Sequence, residues 1–235
     1  MMVKKKLNLV VLSGAGISAE SGVATFRGSG GLWAGRNVQD VASPEGWQRD
    51  FRMVLDFYNQ RRRKIAEVKP NLAHTTLAEL EHEYNVNIIT QNIDNLHEQG
   101  GSTYVLHLHG EITKGCSSNF KRHVTDIGFK DISEGDVCPD GYQMRPFIVW
   151  FGESVPEIES AIEIVSQADI LLVIGTSLEV YPAAGLVNYA PENAPIYVID
   201  PSEILQKLQV PNEVIHIQKI ATKGVLMLKQ KLGRM

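Results

Sequence analysis

Four groups of residues have types and spacings that can do chemistry. Gly14, Gly16 and Ala19 follow an apolar run, Leu7 to Leu12, at the G-x-G-x-x-A spacing of a dinucleotide-binding turn. There Gly14 permits the turn, Gly16 leaves room for a pyrophosphate, and Ala19 lets a following helix approach the strand, its first amides aimed at phosphate oxygens. An ordinary strand–helix turn has the same spacing, and no second strand ending in an acidic residue follows about 20 residues on. Instead Gly22 to Gly31 is a glycine-rich loop carrying Phe26 and Arg27. The second group, Gln91, Asn92 and Asp94, ends an apolar segment, where open α/β sheets bind ligands, although Asn and Asp also cap helices there. The third is Tyr58 and Arg61, at i and i+3 of a helical run. A phenol and a guanidinium on one helix face can hold a carboxylate by charge-assisted hydrogen bonds; the plainer reading is a solvated basic helix. The fourth is His107 and His109 in YVLHLHG, which would share one face if a strand ran through both. Either could be a general base, and spacing does not choose between them.

The elements that must position these groups alternate along the chain. Leu7–Leu12, Val86–Thr90, Tyr104–Gly110, Asp169–Ser177, Ala194–Asp200 and Val214–Ile217 are expected strands. Residues 50–68, 71–83, 158–167 and 222–232 are expected helices. This alternation predicts an α/β fold, a doubly wound Rossmann-like parallel sheet with a small inserted module. The expected organisation is one catalytic domain over 1–235, with the core formed by 1–109 and 146–235 and the module by about 110–145. In FYNQRRRK, Arg62 and Arg63 fall off the Tyr58–Arg61 face and are expected to be surface charge; His74 is expected to be structural.

Composition narrows the class. The 235 residues are 43% hydrophobic and 21% charged, as in a globular enzyme. A net charge of -4 argues against a dedicated nucleic-acid binder. No run approaches a membrane span, and the opening apolar run is too short for a signal peptide. Two cysteines do not make a disulfide framework. A cytoplasmic protein is expected, with no nucleic-acid or membrane partner; nothing in the sequence bears on its oligomeric state.

The string GAGISAESG with TFRG and GLW, then TQNID-LH, HG, the 149–153 segment VWFGE and GTS, resembles the sirtuins, NAD-dependent protein lysine deacylases. The resemblance implies NAD contacts at Gly14, Ala15, Gly16, Ser18, Ala19, Phe26, Arg27 and Trp33. It adds Gln91, Asn92, Ile93 and Asp94, then Gly175, Thr176 and Ser177, and finally Asp200 and Ala221. It selects His109 as the catalytic base and leaves His107 as support. Val149, Phe151, Gly152 and Glu153 are implied to receive an acylated protein substrate as an added strand. The subgroup that prefers acidic acyl groups carries Tyr-x-x-Arg where Tyr58 and Arg61 stand, which implies removal of succinyl and malonyl groups, more weakly acetyl. The products would be nicotinamide, 2′-O-acyl-ADP-ribose and free lysine. Two other classes share these motifs: an NAD-dependent protein ADP-ribosyltransferase and a non-catalytic NAD-binding sensor.

Two departures from the family stand out. Asp200 replaces the usual Asn at the adenosine ribose, a mild change because a carboxylate also accepts from both hydroxyls. The family commonly closes its module on zinc with four cysteines, whereas here Cys116 is followed by Asn119, and Cys138 by Asp140 and Gly141. Two thiolates with Asn and Asp make a poor structural zinc site, and His123 fits no common spacing. Zinc is expected to be absent, with Phe120, Ile127, Phe129 and Ile132 packing the module instead.

Overall fold

The computed structural model describes residues 5–25 and 37–233. Phe26, Arg27 and Trp33 lie outside the described residues. A six-stranded, wholly parallel sheet forms the centre: β1 (Asn8–Ser13), β2 (Asn85–Thr90), β3 (Val105–His107), β7 (Ile170–Ile174), β8 (Ile196–Ile199) and β9 (Val214–Ile217). Their order is β3-β2-β1-β7-β8-β9. The chain builds outward from β1 in one direction, then returns to start again at β7. The carboxyl ends of β1 and β7 therefore flank a switch point, where such sheets leave a crevice for ligands.

The continuous apolar runs arise because both faces of this sheet are covered. Leu9 and Val11 of β1 pack on one side with Ala73 and Leu77 of α3 (Leu72–Glu79) and Val225 and Leu228 of α6 (Ala221–Leu232). Val10 and Leu12 pack on the other with Ala161 and Val165 of α5 (Ile158–Ser166) and the 3₁₀ segment Ala183–Tyr189. Among the described residues no helix is long and apolar enough to cross a membrane.

A second, three-stranded antiparallel sheet has the order β5-β4-β6, from β4 (Gly110–Ser117), β5 (Thr125–Asp126) and β6 (Met144–Ile148). Beneath it, α1 (Val38–Val41) and α2 (Pro44–Ala66) share an apolar cluster of Val41, Val54, Tyr58, Ile93, Ile112, Ile148 and Trp150.

The structure corrects several expectations. After β1 the chain makes two 3₁₀ turns, Ala15–Ile17 and Ala19–Ser21, in place of a helix, because the next segment is rich in glycine and serine. Helix α2 starts at Pro44, capped by Ser43 accepting from the Gly46 amide at 3.0 Å. Its backbone breaks at Asp50, whose carboxylate accepts from the Met53 amide at 3.0 Å, so the expected start at residue 50 is an internal second cap. Strand β3 ends at His107, and the chain turns before His109. The extended segment expected at 149–153 is displaced: the strand is Met144–Ile148, and residues 151–153 turn with Gly152 at φ +91°.

Arg62 is the largest correction, being wholly buried instead of a surface charge. Its Nε donates to the Ile112 carbonyl at 2.8 Å and its Nη1 to Asn59 Oδ1 at 2.6 Å. Asn59 in turn pairs with both backbone groups of Ile132, at 2.9 and 3.0 Å. In the small module Ile132 is buried as expected, but Phe120 and Phe129 are exposed, at 84% and 38%, and do not pack its interior.

Candidate active site

The turn after β1 and the loop after β7 interlock through glycines. The Gly14 amide donates to the Ile174 carbonyl at 3.1 Å, and the Gly16 amide to the Gly175 carbonyl at 2.8 Å. A Cβ on Gly16 would lie 2.7 Å from Gly175 Cα, and one on Gly14 2.8 Å from the Gly175 oxygen. Gly175 itself has φ +63°, and a Cβ there would stand 2.3 Å from the Ile17 nitrogen. These glycines are required first by backbone meeting backbone; room for a ligand is a consequence.

Above this junction lies a cleft of about 690 Å³ at the carboxyl ends of the parallel strands. It is lined by Gly14, Ala15, Gly16 and Ala19 from the first turn, and by Gly175, Thr176 and Ser177 from the second. Asp200 after β8 and Ala221 at the start of α6 complete that end. Gln91, Ile93 and His109 line the middle, with Tyr58, Arg61, Val149, Phe151, Gly152 and Glu153 at the other end. Asn92 and Asp94 open instead into a small adjoining recess, together with Ala15 and Arg61. Ser18 reaches neither and lies buried behind them.

The polar groups between cleft and sheet form one network. Ser18 Oγ accepts from Asn92 Nδ2 at 3.1 Å and donates to Asp94 Oδ2 at 3.1 Å. Asp94 also accepts from the Leu96 amide at 3.2 Å, and burial pushes its pKa up. Gln91 Nε2 donates to Thr176 Oγ1 at 3.1 Å, tying the two loops together. Asn92 Oδ1 is buried without a hydrogen-bond partner among the described residues, so a ligand amide donor has a ready acceptor there.

The two histidines separate clearly. His107 Nδ1 lies 3.0 Å from the Asn92 carbonyl and Nε2 2.7 Å from Glu98 of α4 (Leu96–Gln99). Burial opposes its protonation, yet Glu98 prevails and its pKa is raised. His109 lines the cleft, with Nδ1 3.1 Å from the Gln91 carbonyl. Burial lowers its pKa, and the backbone contact offsets that only in part. The turn carrying it is tight: Gly110 has φ +78°, and a Cβ there would sit 2.0 Å from the Phe147 oxygen.

Tyr58 and Arg61 enter the cleft from α2, with the Arg61 guanidinium carbon 6.0 Å from the Tyr58 ring centre. Burial raises the Tyr58 pKa and lowers that of Arg61. The Tyr58 hydroxyl accepts from the indole nitrogen of Trp150 at 3.0 Å. Trp150, which lies within the VWFGE segment but is not among the residues implied to receive substrate, also lines the cleft. Glu153 is spent on structure: it accepts from Arg145 at 2.8 Å, from Lys121 at 2.8 Å and from the Trp150 amide at 2.7 Å.

A sequence model described as the Sir2 family matches residues 14–182. The chain belongs to the Sir2 family. It is 53% identical over 230 residues to an NAD-dependent protein deacylase of Bacteroides thetaiotaomicron, covering 96% of this chain and 97% of the relative. An NAD-dependent protein deacylase of Helicobacter pylori strain J99 is 51% identical over 231 residues, covering 96% of this chain and 98% of that one. Among solved structures, a Sir2 homologue–NAD complex superposes with a TM-score of 0.81 at 33% identity, over 96% of this chain and 90% of that one. A Sir2 protein with a deacetylated p53 peptide and 3′-O-acetyl ADP ribose gives a TM-score of 0.81 at 26% identity, over 97% and 94% of the two chains. The α/β fold with a parallel sheet and a separate small antiparallel sheet is that of these family members.

The zinc-binding pattern expected of the family does not fit this module. Among the described residues no group of three or more His, Cys, Asp or Glu side chains is placed to hold a metal. Ser117 Oγ donates to Asp140 Oδ2 at 2.7 Å, and burial pushes the Cys116 thiol up to about 11.

Proposed function

We propose that this chain removes acidic acyl groups, succinyl and malonyl in preference to acetyl, from lysines of cytoplasmic proteins. A Sir2-family member this similar to NAD-dependent protein deacylases is an NAD-dependent protein lysine deacylase. The residues fit the dinucleotide. The backbone-tight glycine junction would hold the pyrophosphate, Asp200 the adenosine ribose, and the unpartnered amide oxygen of Asn92 the nicotinamide carboxamide. Consumed NAD supplies an electrophilic ribose carbon to which the substrate's acyl oxygen adds as nicotinamide leaves.

The chain's own residues do the rest. The Gln91 carbonyl can only accept, so His109 Nδ1 carries its proton and Nε2 is the basic nitrogen. Held neutral by burial, it takes a proton from a ribose hydroxyl as general base. That hydroxyl, the 2′, then bonds to the acyl carbon. The acyl C–N bond breaks with the lysine amine as leaving group, and one water is consumed, giving 2′-O-acyl-ADP-ribose and free lysine. Val149, Phe151 and Gly152 border the cleft where the acylated peptide would lie.

The observation that carries the acyl preference is that Tyr58 and Arg61 open into the same cleft as His109. A carboxylate buried at that end without a partner would be costly. Arg61 supplies charge and Tyr58 a neutral donor, each contact contributing roughly 1.5–3 kcal/mol. Discrimination over acetyl of about tenfold to a hundredfold is expected. Arg61→Met should depress desuccinylation far more than deacetylation. An unchanged succinyl-to-acetyl ratio of kcat/KM would remove the assignment.

A further inference from the structure

The Tyr58 hydroxyl has one proton and two lone pairs, and Trp150 decides how they are used. An indole N–H donates and cannot accept. Its contact with the Tyr58 oxygen, 3.0 Å long and buried, therefore occupies a lone pair and never the phenol proton. With that direction taken, the proton must point elsewhere, and both side chains line the cleft end that also holds Arg61. Burial keeps the phenol neutral and so a donor. The indole is itself held firmly. The Arg145 guanidinium carbon stands 3.2 Å from its ring centre and is anchored by Glu153, while the Trp47 ring centre lies 5.7 Å away.

We infer that Trp150 is a positioning residue for acyl selectivity: its indole N–H orients the Tyr58 hydroxyl so that the phenol proton meets the distal carboxylate of an acidic acyl group. The inference rests on the acidic-acyl reading above. The chain from indole N–H to phenol O–H to carboxylate polarises in one direction, so each bond strengthens the next. An acetyl group ends in a methyl and gains nothing from this arrangement. Trp150 thus acts on the ratio between substrates.

The test is Trp150→Phe, together with replacement of Trp150 by β-(3-benzothienyl)alanine, which keeps the ring shape and puts sulfur in place of the N–H. In both variants, desuccinylation should fall about threefold to tenfold more than deacetylation, mainly through KM for the succinylated peptide. Introduced into Tyr58→Phe, neither replacement should move the succinyl-to-acetyl ratio further, because the group through which Trp150 acts is gone. Equal losses on both substrates, or the same shift with and without the Tyr58 hydroxyl, would overturn the inference. Arg61→Met separates the two levels. A ratio unmoved by Arg61→Met sinks the acidic-acyl reading itself, whereas a ratio moved by Arg61→Met but not by the Trp150 replacements sinks only the role of Trp150.

Discussion

His109 Nδ1 lies 3.1 Å from the carbonyl oxygen of Gln91, and that single contact fixes which ring nitrogen is the base. Burial lowers the His109 pKa, so the imidazole is neutral at physiological pH. A general base works only when deprotonated, so kcat/KM should rise with pH along a limb whose midpoint lies below the ordinary histidine value of 6.5. His109→Ala should lower turnover by about a hundredfold to ten-thousandfold. An acidic limb centred above the ordinary value would contradict a buried, neutral base.

Gly16 and Gly185 offer a paired test of the glycine junction. A methyl on Gly16 would press on Gly175 backbone at 2.7 Å, whereas one on Gly185 would meet only the Tyr181 ring at 3.7 Å. Gly16→Ala should cost about 1–3 kcal/mol through overpacking. In a chain of this size each kcal/mol lowers the melting temperature by about 2–4 °C. Gly185→Ala should leave the melting curve nearly in place. Indistinguishable curves for the two variants would show that the junction relaxes freely.

Arg62 should carry more stability than its neighbour Arg63. Arg62→Ala strands the Ile112 carbonyl and Asn59, whose side chain holds Ile132 of the small module. Two hydrogen bonds from a buried cation imply a loss of about 3 kcal/mol. Burial holds the Arg62 pKa down to about 10, so it remains protonated at neutral pH. The Arg63 side chain is 57% exposed, and Arg63→Ala should stay within about 0.5 kcal/mol. Urea unfolding of the two variants decides between them.

What the sequence made legible follows from which contacts are local. The buried strands are visible because two covered faces demand unbroken apolar runs such as Ile170–Ile174. Arg62 is hidden because three consecutive arginines look like solvated charge, and its acceptor, the Ile112 carbonyl, comes 50 residues later. Trp150 is hidden likewise, its partner Tyr58 lying 92 residues earlier. Alternation put His107 and His109 on one face, but the chain turns between them; only the family motif chooses His109. Glycine spacing marked the tight turn after β1, while its tightest constraint, the approach of Gly175, belongs to a distant strand.

The small module should fold and work without zinc. A structural zinc needs deprotonated thiolates in a closed set of four ligands, and this chain places two cysteines there. Cys116 is buried with Sγ 3.9 Å from the Pro146 carbonyl, and that burial disfavours its thiolate. Where further metal ligands would be needed, a polar crosslink joins the two halves. Asp140 accepts from Ser117 Oγ at 2.7 Å and from the Tyr142 amide at 3.3 Å, and Ser117 Oγ also accepts from the Asn119 amide at 3.0 Å. Elemental analysis of purified protein should find far less than one zinc per chain, and a strong chelator should change neither the melting temperature nor deacylation. Ser117→Ala should lower the melting temperature, with or without chelator, because it removes the link to Asp140. One zinc per chain, or a melting temperature that falls on chelation, would overturn this account and make Cys116 and Cys138 ligands.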